Sequence, residues 1–240
     1  MSLTVAGATE SARRSRLGAT LTRLLNPRYS WLPRRFLARP LRILDAGCGA
    51  TDATIAKRIV LECRFEGVNL AELPAESKER AAFDAYHVLD LDDVAAAGSL
   101  PDESFDYVVS SHTLEHLRDG LAVARALSAK VRPGGLLYFE WPSPHSERFP
   151  LRGFGLNFFD DPTHRQTYSI EEMVSVVTGA GFDVLYAGRR RQALRMLLAP
   201  ALVIYRSIKL RRPVLYDLWD FTGFCCVLRA VRQPAGDKAS

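Results

Sequence analysis

A glycine-containing turn is the first feature of the sequence that indicates chemistry. Asp45, Gly47 and Gly49 lie within LDAGCG, at the end of a short apolar segment and directly before a predicted helix. Glycines allow the backbone to approach a ligand closely, and the N-terminus of the helix would point at that ligand. The dinucleotide-binding pattern needs a third glycine near Thr51, which is missing here. By itself, the turn is equally compatible with a purely structural role.

Histidines and carboxylates form a second group of candidate residues. His112, Glu115 and His116 are spaced at i, i+3 and i+4, so on a helix they would share one face. Further along, residues 160–168 read DDPTHRQTY and combine acids, a histidine, an arginine and a tyrosine. An Asp-Asp-Pro run favours a turn, but a turn does not account for the other polar side chains. Because histidine exchanges protons near neutral pH, both groups are candidates for general-base chemistry.

Strands and helices that alternate along the chain must position these residues. Apolar patterns predict strands at 42–45, 65–70, 86–89, 105–110, 136–140, 182–187 and 224–230. Helices are predicted at 11–25, 51–61, 74–82, 114–131 and 169–180. This alternation predicts an α/β fold whose parallel sheet is covered on both faces. In such sheets ligands bind at the carboxyl ends of the strands, where the glycine turn would lie.

The order of the motifs resembles that of class I S-adenosylmethionine-dependent methyltransferases. The resemblance covers about residues 41–188 and rests on LDAGCG (44–49), GVNL (67–70), VLDLDD (88–93), PDESFDYVVSSHTLEHL (101–117), VRPGGLLYFEWP (131–142) and YSIEEMVSVVTGAGFDVL (168–185). It implies a Rossmann-like, mostly parallel seven-stranded sheet with helices on both faces, in which 224–230 is the antiparallel edge strand. The segments LNFFDDPTHRQTYS (156–169) and GRRR (188–191) also resemble methyltransferases encoded with bacterial surface-polysaccharide genes.

The resemblance implies S-adenosyl-L-methionine as the cofactor and assigns the residues that bind it. The methionine part would contact Asp45, Gly47 and Gly49, and the adenine amino group would lie near Asp90. Ser110 and His112 would face the methionine moiety or the methyl group. One position departs from the family, because Asn69 stands where an acid normally binds both ribose hydroxyls. We therefore expect weaker binding rather than none, with Glu72 as an alternative ribose ligand.

The resemblance also places the methyl acceptor between the fifth strand and the next helix. An oxygen acceptor needs a base, and we expect His164 in this role, with His112 as a second catalytic candidate. The expected acceptor-binding residues are Asp160, Asp161, Arg165 and Tyr168. The acceptor itself is expected to be a hydroxyl on a sugar or glycan intermediate. The alternatives are a small-molecule O- or N-methyltransferase of secondary metabolism, and an inactive cofactor-binding scaffold.

A metal site is not expected. Some ubiquinone-pathway O-methyltransferases, which the segment around His112 resembles, hold a divalent metal with two acids and a histidine at this spacing. Here His112 replaces the first acid, while Glu115 and His116 occupy the other two positions. For His116 a structural hydrogen bond to a neighbouring loop is the preferred interpretation.

Charge is distributed unevenly over the 240 residues, whose net charge is +5. Segments 1–42 and 189–212 each carry a net charge of +8, so the remainder is strongly acidic. An acidic body argues against nucleic acid as a partner. Residues 190–212 fit either a helix at an anionic membrane surface or a lid that packs its apolar side on the domain. Pro200 is expected to kink or divide this helix.

These patterns predict four segments. They are a basic helical arm (1–41), the cofactor-binding domain (42–188), a basic helical insertion (189–223), and the last strand with a tail (224–240). Four cysteines without disulfide or metal spacing, and the lack of a signal-peptide core, predict a cytoplasmic protein. The peripheral membrane contact through 190–212 remains the open alternative, and the sequence does not specify an oligomeric state.

Overall fold

A seven-stranded sheet organises residues 17–60 and 62–234, which are the residues that the computed structural model describes. The strands are β1 Leu41–Ala46, β2 Cys63–Asn69, β3 Ala85–Val88, β4 Phe105–Ser111, β5 Val131–Pro142, β6 Phe182–Arg189 and β7 Cys225–Arg232. Their order across the sheet is β3-β2-β1-β4-β5-β7-β6. The first five are parallel, whereas β7 runs antiparallel to both β5 and β6. This arrangement confirms the predicted Rossmann-like fold with an antiparallel last strand. The prediction that 224–230 forms the edge is wrong, because β7 lies between β5 and β6 and pairs with both, so that β3 and β6 are the edge strands.

Helices connect the strands. Those of eight residues or more that follow β1 are α1 Asp52–Ile59, α2 Gly120–Ala129, α3 Ile170–Gly179 and α4 Ala193–Leu210. Shorter helical turns are formed by Pro27–Ser30, Arg34–Leu37, Lys78–Ala81, Val94–Gly98, Leu114–His116, Pro144–Arg148, Phe158–Asp160, Tyr216–Leu218 and Trp219–Thr222. Residues 17–25 are also helical, and residues 11–16 of the predicted arm helix lie outside the described residues.

The side chains of the sheet pack into two apolar clusters, as expected for a sheet covered on both faces. On β1, Leu44 belongs to the cluster that contains Leu127 of α2 and Met173 of α3. The preceding residue, Ile43, belongs to the cluster that contains Ala56 of α1. Neighbouring residues of a strand point to opposite faces, which explains this division. Strand β4 is buried along its length up to its last residue, as its continuous apolar run predicts.

The described part of the N-terminal arm packs onto the α1 side of the sheet. Tyr29, Leu32 and Phe36 are all buried in that cluster. The hydroxyl of Tyr107 on β4 donates a hydrogen bond to the carbonyl of Arg28 and accepts one from the arm at Trp31 Nε1. The arm therefore contributes to the core of the sheet domain.

The single helix predicted at 114–131 is wrong, because the structure interrupts it. A short turn covers Leu114–His116, and α2 begins only at Gly120, where Asp119 caps it by accepting a hydrogen bond from the N–H of Ala122. Just before the turn, His112 adopts a left-handed backbone conformation with φ of 55°. The histidines and the acid of this segment are therefore positioned by a turn and not by one helical face.

The basic insertion forms α4, whose charged face points into the protein. Arg195 Nε lies 3.1 Å from Asp220 Oδ2, and Arg206 Nε lies 3.2 Å from Asp217 Oδ2. Both aspartates are buried, whereas Leu197 is 76% exposed. This orientation contradicts the expected lid, because the apolar side that would pack on the domain faces outward. Arg195 and Arg206 are paired inside the protein and are not available to lipid, while contact of this segment with a membrane remains a prediction.

Pro200 does not divide the insertion, because α4 continues from Ala193 to Leu210. Ion pairs on both sides of the proline, at Arg195 and Arg206, hold the two halves against the same part of the protein. Within residues 17–60 and 62–234, no helix combines the length and the apolar character needed to cross a bilayer.

The packing of β1 predicts a large effect for Leu44→Ala. Leu44 has no exposed surface, so the truncation removes buried apolar area and leaves a cavity, at a cost of about 3 kcal/mol in the free energy of unfolding. Urea denaturation followed by circular dichroism measures this change. Leu70→Ala is the control, since Leu70 is 68% exposed and should change the free energy by less than about 0.5 kcal/mol. Equal effects of the two substitutions would contradict the packing described here.

Candidate active site

The glycine turn lies at the carboxyl end of β1, as predicted. Gly47 has φ of 82°, and the N–H groups of Gly47 and Cys48 donate to the carbonyl of Val68 at 2.8 and 3.1 Å. A Cβ atom at position 47 would lie 1.9 Å from Thr113 Oγ1. The turn therefore requires glycine here, for its backbone conformation and for lack of space.

A cleft of about 630 Å³ opens beside the glycine turn. The arm, the turn, the ends of β4 and β5, and α4 border it, through residues that include Arg28, Gly47, Gly49, Ser111, Glu140 and Arg195. The cleft lies at the carboxyl ends of the central strands, where ligands of α/β sheets bind. Its open glycine backbone and polar lining fit a polar nucleotide-like ligand.

Asp45 is buried next to the turn and paired with Arg28 of the arm. The distance from Arg28 Nη1 to Asp45 Oδ2 is 3.1 Å, and Arg28 Nη2 lies 2.5 Å from Asp52 Oδ1. Burial raises the pKa of Asp45 to about 7, although Arg28 acts in the opposite direction. The guanidinium of Arg28 thus attaches the arm to a carboxylate near the end of β1 and to another at the start of α1, on either side of the glycine turn.

Asn69 ends β2, but the backbone already uses its amide. Asn69 Nδ2 donates to the carbonyl of Cys48 at 2.7 Å, and Oδ1 accepts from the N–H of Ala71 at 3.0 Å. The side chain therefore supports the glycine turn from the neighbouring strand. Its expected contact with a ribose remains a prediction.

Two other residues expected at the cofactor have different surroundings. Ser110 is fully buried and donates its hydroxyl to the carbonyl of Ala46 at 3.0 Å, whereas the next residue, Ser111, lines the cleft. Side chains alternate along a strand, so the two hydroxyls point to opposite faces, and contact of Ser110 with the cofactor remains a prediction. Asp90 is exposed, and its carboxylate accepts a hydrogen bond from the N–H of Asp92 at 2.9 Å.

His112 is held by carboxylates at both ring nitrogens. Nδ1 lies 3.1 Å from Glu115 Oε1, and Nε2 lies 3.0 Å from Glu140 Oε1. Burial favours the neutral ring, but Cys225 and the two glutamates outweigh it and raise the pKa of His112 well above its ordinary value. A protonated ring donates both hydrogen bonds and has no lone pair with which to act as a base.

A buried ion-pair network continues from His112 to the insertion. Arg190 is 4% exposed and donates from Nη1 to Glu140 at 2.7 Å. Its Nε and Nη2 donate to the two carboxylate oxygens of Asp220, both at 3.0 Å. Burial alone would raise the pKa of Glu140, but Arg190 and His112 have the larger effect. The pKa of Glu140 therefore lies below its usual range.

Sequence reasoning missed Glu140, Arg190 and Asp220. One signal was present, since Glu140 is a charged residue within the apolar run LLYFEW of a central strand. A charge in such a position requires a partner, but the partner lies fifty residues further along the chain. Only the fold brings the two together.

A second cavity of about 530 Å³ lies on the other side of His112. One wall is aromatic, because Trp219 and Phe224 stack with ring centroids 4.6 Å apart, and the His112 ring lies 4.9 Å from Trp219. The opposite wall carries His116 and His164, whose rings are 4.8 Å apart. Glu140 borders the cleft while His112 borders this cavity, so their hydrogen bond joins the linings of the two spaces.

His164 lies in the cavity wall with one nitrogen engaged. Its Nδ1 donates to the carbonyl of Phe158 at 2.6 Å, and its ring stacks on Phe158 at 4.6 Å. In a neutral ring this bond leaves the lone pair on Nε2. Two carboxylate oxygens, from Glu115 and Asp161, lie 4.0 Å from this Nε2.

His116 has the structural bond that the sequence analysis preferred. Thr163 donates its hydroxyl to Asp161 Oδ1 at 2.6 Å, so the 2.9 Å contact between Thr163 Oγ1 and His116 Nδ1 is a bond donated by the ring. His116, Glu115 and His164 nevertheless place three ligand-type atoms within 4.8 Å of one another. The third member is His164 and not His112, which is bound to Glu140.

The expected acceptor-binding residues are only partly brought together. Asp161 and Asp160 line the cavity, but the Asp160 carboxylate accepts hydrogen bonds from the backbone N–H groups of Gly153, Gly155, Leu156 and Asn157. Although burial raises it, these bonds lower the pKa of Asp160. Tyr168 is buried, and its hydroxyl accepts a hydrogen bond from the N–H of Gly120. Arg165 Nη2 lies 3.9 Å from Asp92 Oδ2. Neither Arg165 nor Tyr168 lines the cavity.

A family model described as a methyltransferase domain matches residues 10–187, well over half of the chain. The chain belongs to this family. The methyltransferase shares its fold with a solved S-adenosylmethionine-dependent methyltransferase from Mesorhizobium loti, which is 20% identical, with a TM-score of 0.59 over 85% of this chain and 94% of that one. Its fold also matches 1,6-didemethyltoxoflavin-N1-methyltransferase of Burkholderia thailandensis, solved with S-adenosylhomocysteine (16% identical, TM-score 0.53, covering 95% and 86%). As a member of this family, the protein is a class I methyltransferase with S-adenosylmethionine as its cofactor.

Curated relatives include two ubiquinone biosynthesis O-methyltransferases. The protein of Ralstonia nicotianae is 24% identical over 163 residues, which cover 66% of this chain and 67% of the relative. The protein of Xanthomonas campestris pv. campestris is 28% identical over 157 residues, covering 62% and 64%. The methyltransferase thus spans about two thirds of the length of these relatives.

The contacts of Asn69 predict how two substitutions change cofactor affinity. Asn69→Ala and Asn69→Asp both remove the N–H that supports the glycine turn at Cys48, so we expect both to weaken S-adenosylmethionine binding about tenfold, or about 1.4 kcal/mol. Isothermal titration calorimetry measures the two affinities. Unimpaired or tighter binding by Asn69→Asp, with weakened binding by Asn69→Ala, would contradict this role and indicate a direct contact with the ribose hydroxyls.

Proposed function

We propose that this methyltransferase methylates a hydroxyl oxygen on an aromatic small molecule. The observation that carries the proposal is the position of His164, whose Nε2 is free of close hydrogen bonds within the described residues and lies in the cavity wall. A hydroxyl acceptor must lose its proton to react, and an imidazole lone pair can take it. Glu115 and Asp161, each 4.0 Å away, would stabilise the imidazolium that results.

The hydrogen-bonded pair of His112 and Glu140, which joins the linings of the cavity and the cleft, supports a positioning role for His112. Bound S-adenosylmethionine supplies an electrophilic methyl group on a sulfonium. In-line displacement depends on holding donor and acceptor at attack distance. Two bonded pairs of side chains join the lining of the cleft to that of the cavity, namely Glu140 with His112 and Arg206 with Tyr216. The two charges of His112 and Arg190 are balanced by Glu115 and Glu140. These four residues therefore add little net charge next to the positively charged sulfonium of the methyl donor.

The cavity lining supports an aromatic acceptor over the sugar or glycan that the sequence analysis favoured. A sugar needs many free hydrogen-bonding groups, but Asp160 is bound to four backbone N–H groups and Asn157 to the carbonyls of Glu147 and Phe149. The stacked rings of Trp219 and Phe224 instead offer a flat apolar wall. Flat walls of this kind favour offset or edge contacts with a second aromatic ring.

A divalent cation at Glu115, His116 and His164 is a second means of activating the same hydroxyl. Within the described residues, Glu115 Oε2 is buried and has no hydrogen-bond partner, and the three side chains place ligand atoms within 4.8 Å. This donor set fits a divalent metal. A metal held there would lower the pKa of a coordinated hydroxyl, and His164 would then be a ligand and not a base.

Removal of the imidazole tests the catalytic role. We expect His164→Ala to lower kcat at least tenfold and to leave the Kd for S-adenosylmethionine unchanged, because His164 borders the cavity and not the cleft. Methyl transfer from labelled S-adenosylmethionine and calorimetry measure the two quantities. His145→Ala is the matched control, since His145 is exposed and lines neither space. An unchanged kcat in His164→Ala would contradict the proposal.

Chelation separates the two roles of His164. If His164 acts as the base, enzyme treated with EDTA and then dialysed keeps its kcat, and added Mg²⁺ or Zn²⁺ changes it less than twofold. Loss of activity on chelation, with recovery on addition of one metal, would assign Glu115, His116 and His164 to the cation instead.

A pair of acceptors tests the substrate class. We expect kcat/KM for 3,4-dihydroxybenzoate to exceed that for methyl glucoside at least tenfold, because the aromatic wall packs on a planar ring and few polar groups are free. Product formation from both acceptors is measured at the same S-adenosylmethionine concentration. A higher kcat/KM with the glycoside would contradict the aromatic acceptor and restore the sugar hypothesis.

A further inference from the structure

Helix α4 has its polar and apolar sides in an unusual arrangement. A surface helix of a globular protein normally buries its apolar face. In α4 the arginines are directed inward to Asp217 and Asp220, and the apolar side chains of Leu197, Ile204 and Ile208 are 76%, 61% and 73% exposed. Burial of an apolar face is the main reason for a helix to pack on its own domain, so this orientation leaves the apolar face unsatisfied.

The exposed apolar residues form one continuous face. Positions 197, 201, 204 and 208 are spaced at i, i+4, i+7 and i+11, which places them along a single stripe of the helix. All four are exposed, as is the adjacent Tyr205. We call the surface formed by Leu197, Ala201, Ile204, Tyr205 and Ile208 the α4 stripe.

A second exposed apolar row lies on the helical segment 17–25. Leu17, Leu21 and Leu24 are spaced at i, i+4 and i+7 and are 72%, 51% and 43% exposed. This segment ends where α4 begins, because Gln192 and Arg195 donate side-chain hydrogen bonds to the carbonyls of Leu24 and Leu25. Two helices with exposed leucines and isoleucines thus meet at one corner of the molecule.

Basic side chains border the α4 stripe at its C-terminal end. Lys209, Arg211 and Arg212 are exposed, and none of the three forms an ion pair with another residue in the part of the chain that the structure describes. No acid occurs between residues 189 and 212. An apolar stripe next to unpaired cations is complementary to the headgroups and acyl boundary of an anionic bilayer.

We propose that the α4 stripe binds the surface of an anionic lipid bilayer. A second copy of the chain is a poorer occupant, because residues 189–212 contain no acid that could pair with the basic side chains of another such segment. The contact also has a geometric consequence, since residues 212–214 follow α4 directly and line the acceptor cavity. The stripe and one part of the cavity wall therefore lie on neighbouring segments of the chain. The inference rests on α4 alone and does not depend on the proposed acceptor.

Vesicle co-sedimentation of the full chain tests the proposal. Vesicles of phosphatidylglycerol and phosphatidylcholine are compared with vesicles of phosphatidylcholine alone, at low and high salt. We expect at least fivefold more protein to sediment with the anionic vesicles at low salt, and the excess to fall at high salt because screening weakens the attraction. Failure to sediment with anionic vesicles at low salt would overturn the proposal.

Substitution of the stripe identifies the surface. The triple variant Leu197→Gln, Ile204→Gln and Ile208→Gln changes only exposed side chains, so it should fold and bind S-adenosylmethionine with the native Kd, but sediment at least fivefold less. Leu185→Gln is the matched control, since Leu185 is 56% exposed on β6 and should sediment as the native chain does. Unchanged sedimentation of the triple variant would overturn the assignment.

The rival occupant has its own readout. Light scattering of the native chain at increasing concentration should show no dimer that the triple variant loses. A concentration-dependent dimer that disappears in the triple variant would overturn the lipid surface in favour of a second copy of the chain.

Discussion

Neutralisation of one buried carboxylate determines the shape of the active site. Glu140 lies near the C-terminal end of the central strand β5, with 3% of its surface exposed. An unpaired charge in such a position would cost several kcal/mol in the free energy of folding. Arg190, His112 and the hydroxyl of Tyr138 all bond to it. Because these partners come from three different segments, meeting this one requirement fixes the segment after β4 and the segment after β6 in relation to β5.

The residues that neutralise Glu140 have further charged partners of their own. Arg190 carries a second pair with Asp220, which also receives Arg195 of α4. The short helix Trp219–Thr222 that holds Asp220 also holds Trp219, one ring of the aromatic wall. The same charge network that borders the cleft therefore also places the aromatic wall of the cavity, and it turns Arg195 and Arg206 of α4 inward. The exposed apolar face of that helix follows from this electrostatic arrangement.

The fold and the glycine turn could be predicted from the sequence, because both depend on local patterns. The apolar runs of β1 and β4 and the glycines at 47 and 49 carry their information within a few residues. Predictions that depended on distant partners were less successful. The helix predicted at 114–131 ignored the left-handed conformation of His112 just before it, where the ring is bonded both to the nearby Glu115 and to the distant Glu140 on β5. The orientation of α4 likewise depends on aspartates beyond its own end.

The contacts between the arm and α4 have a consequence for the release of a ligand from the cleft. Both segments border the cleft, and the side chains of Gln192 and Arg195 join them through backbone carbonyls at Leu24 and Leu25. Arg28 of the same arm also forms ion pairs with Asp45 and Asp52. A ligand that leaves the cleft on this side has to separate segments nearly 170 residues apart in the chain. Breaking these few hydrogen bonds would therefore precede its release.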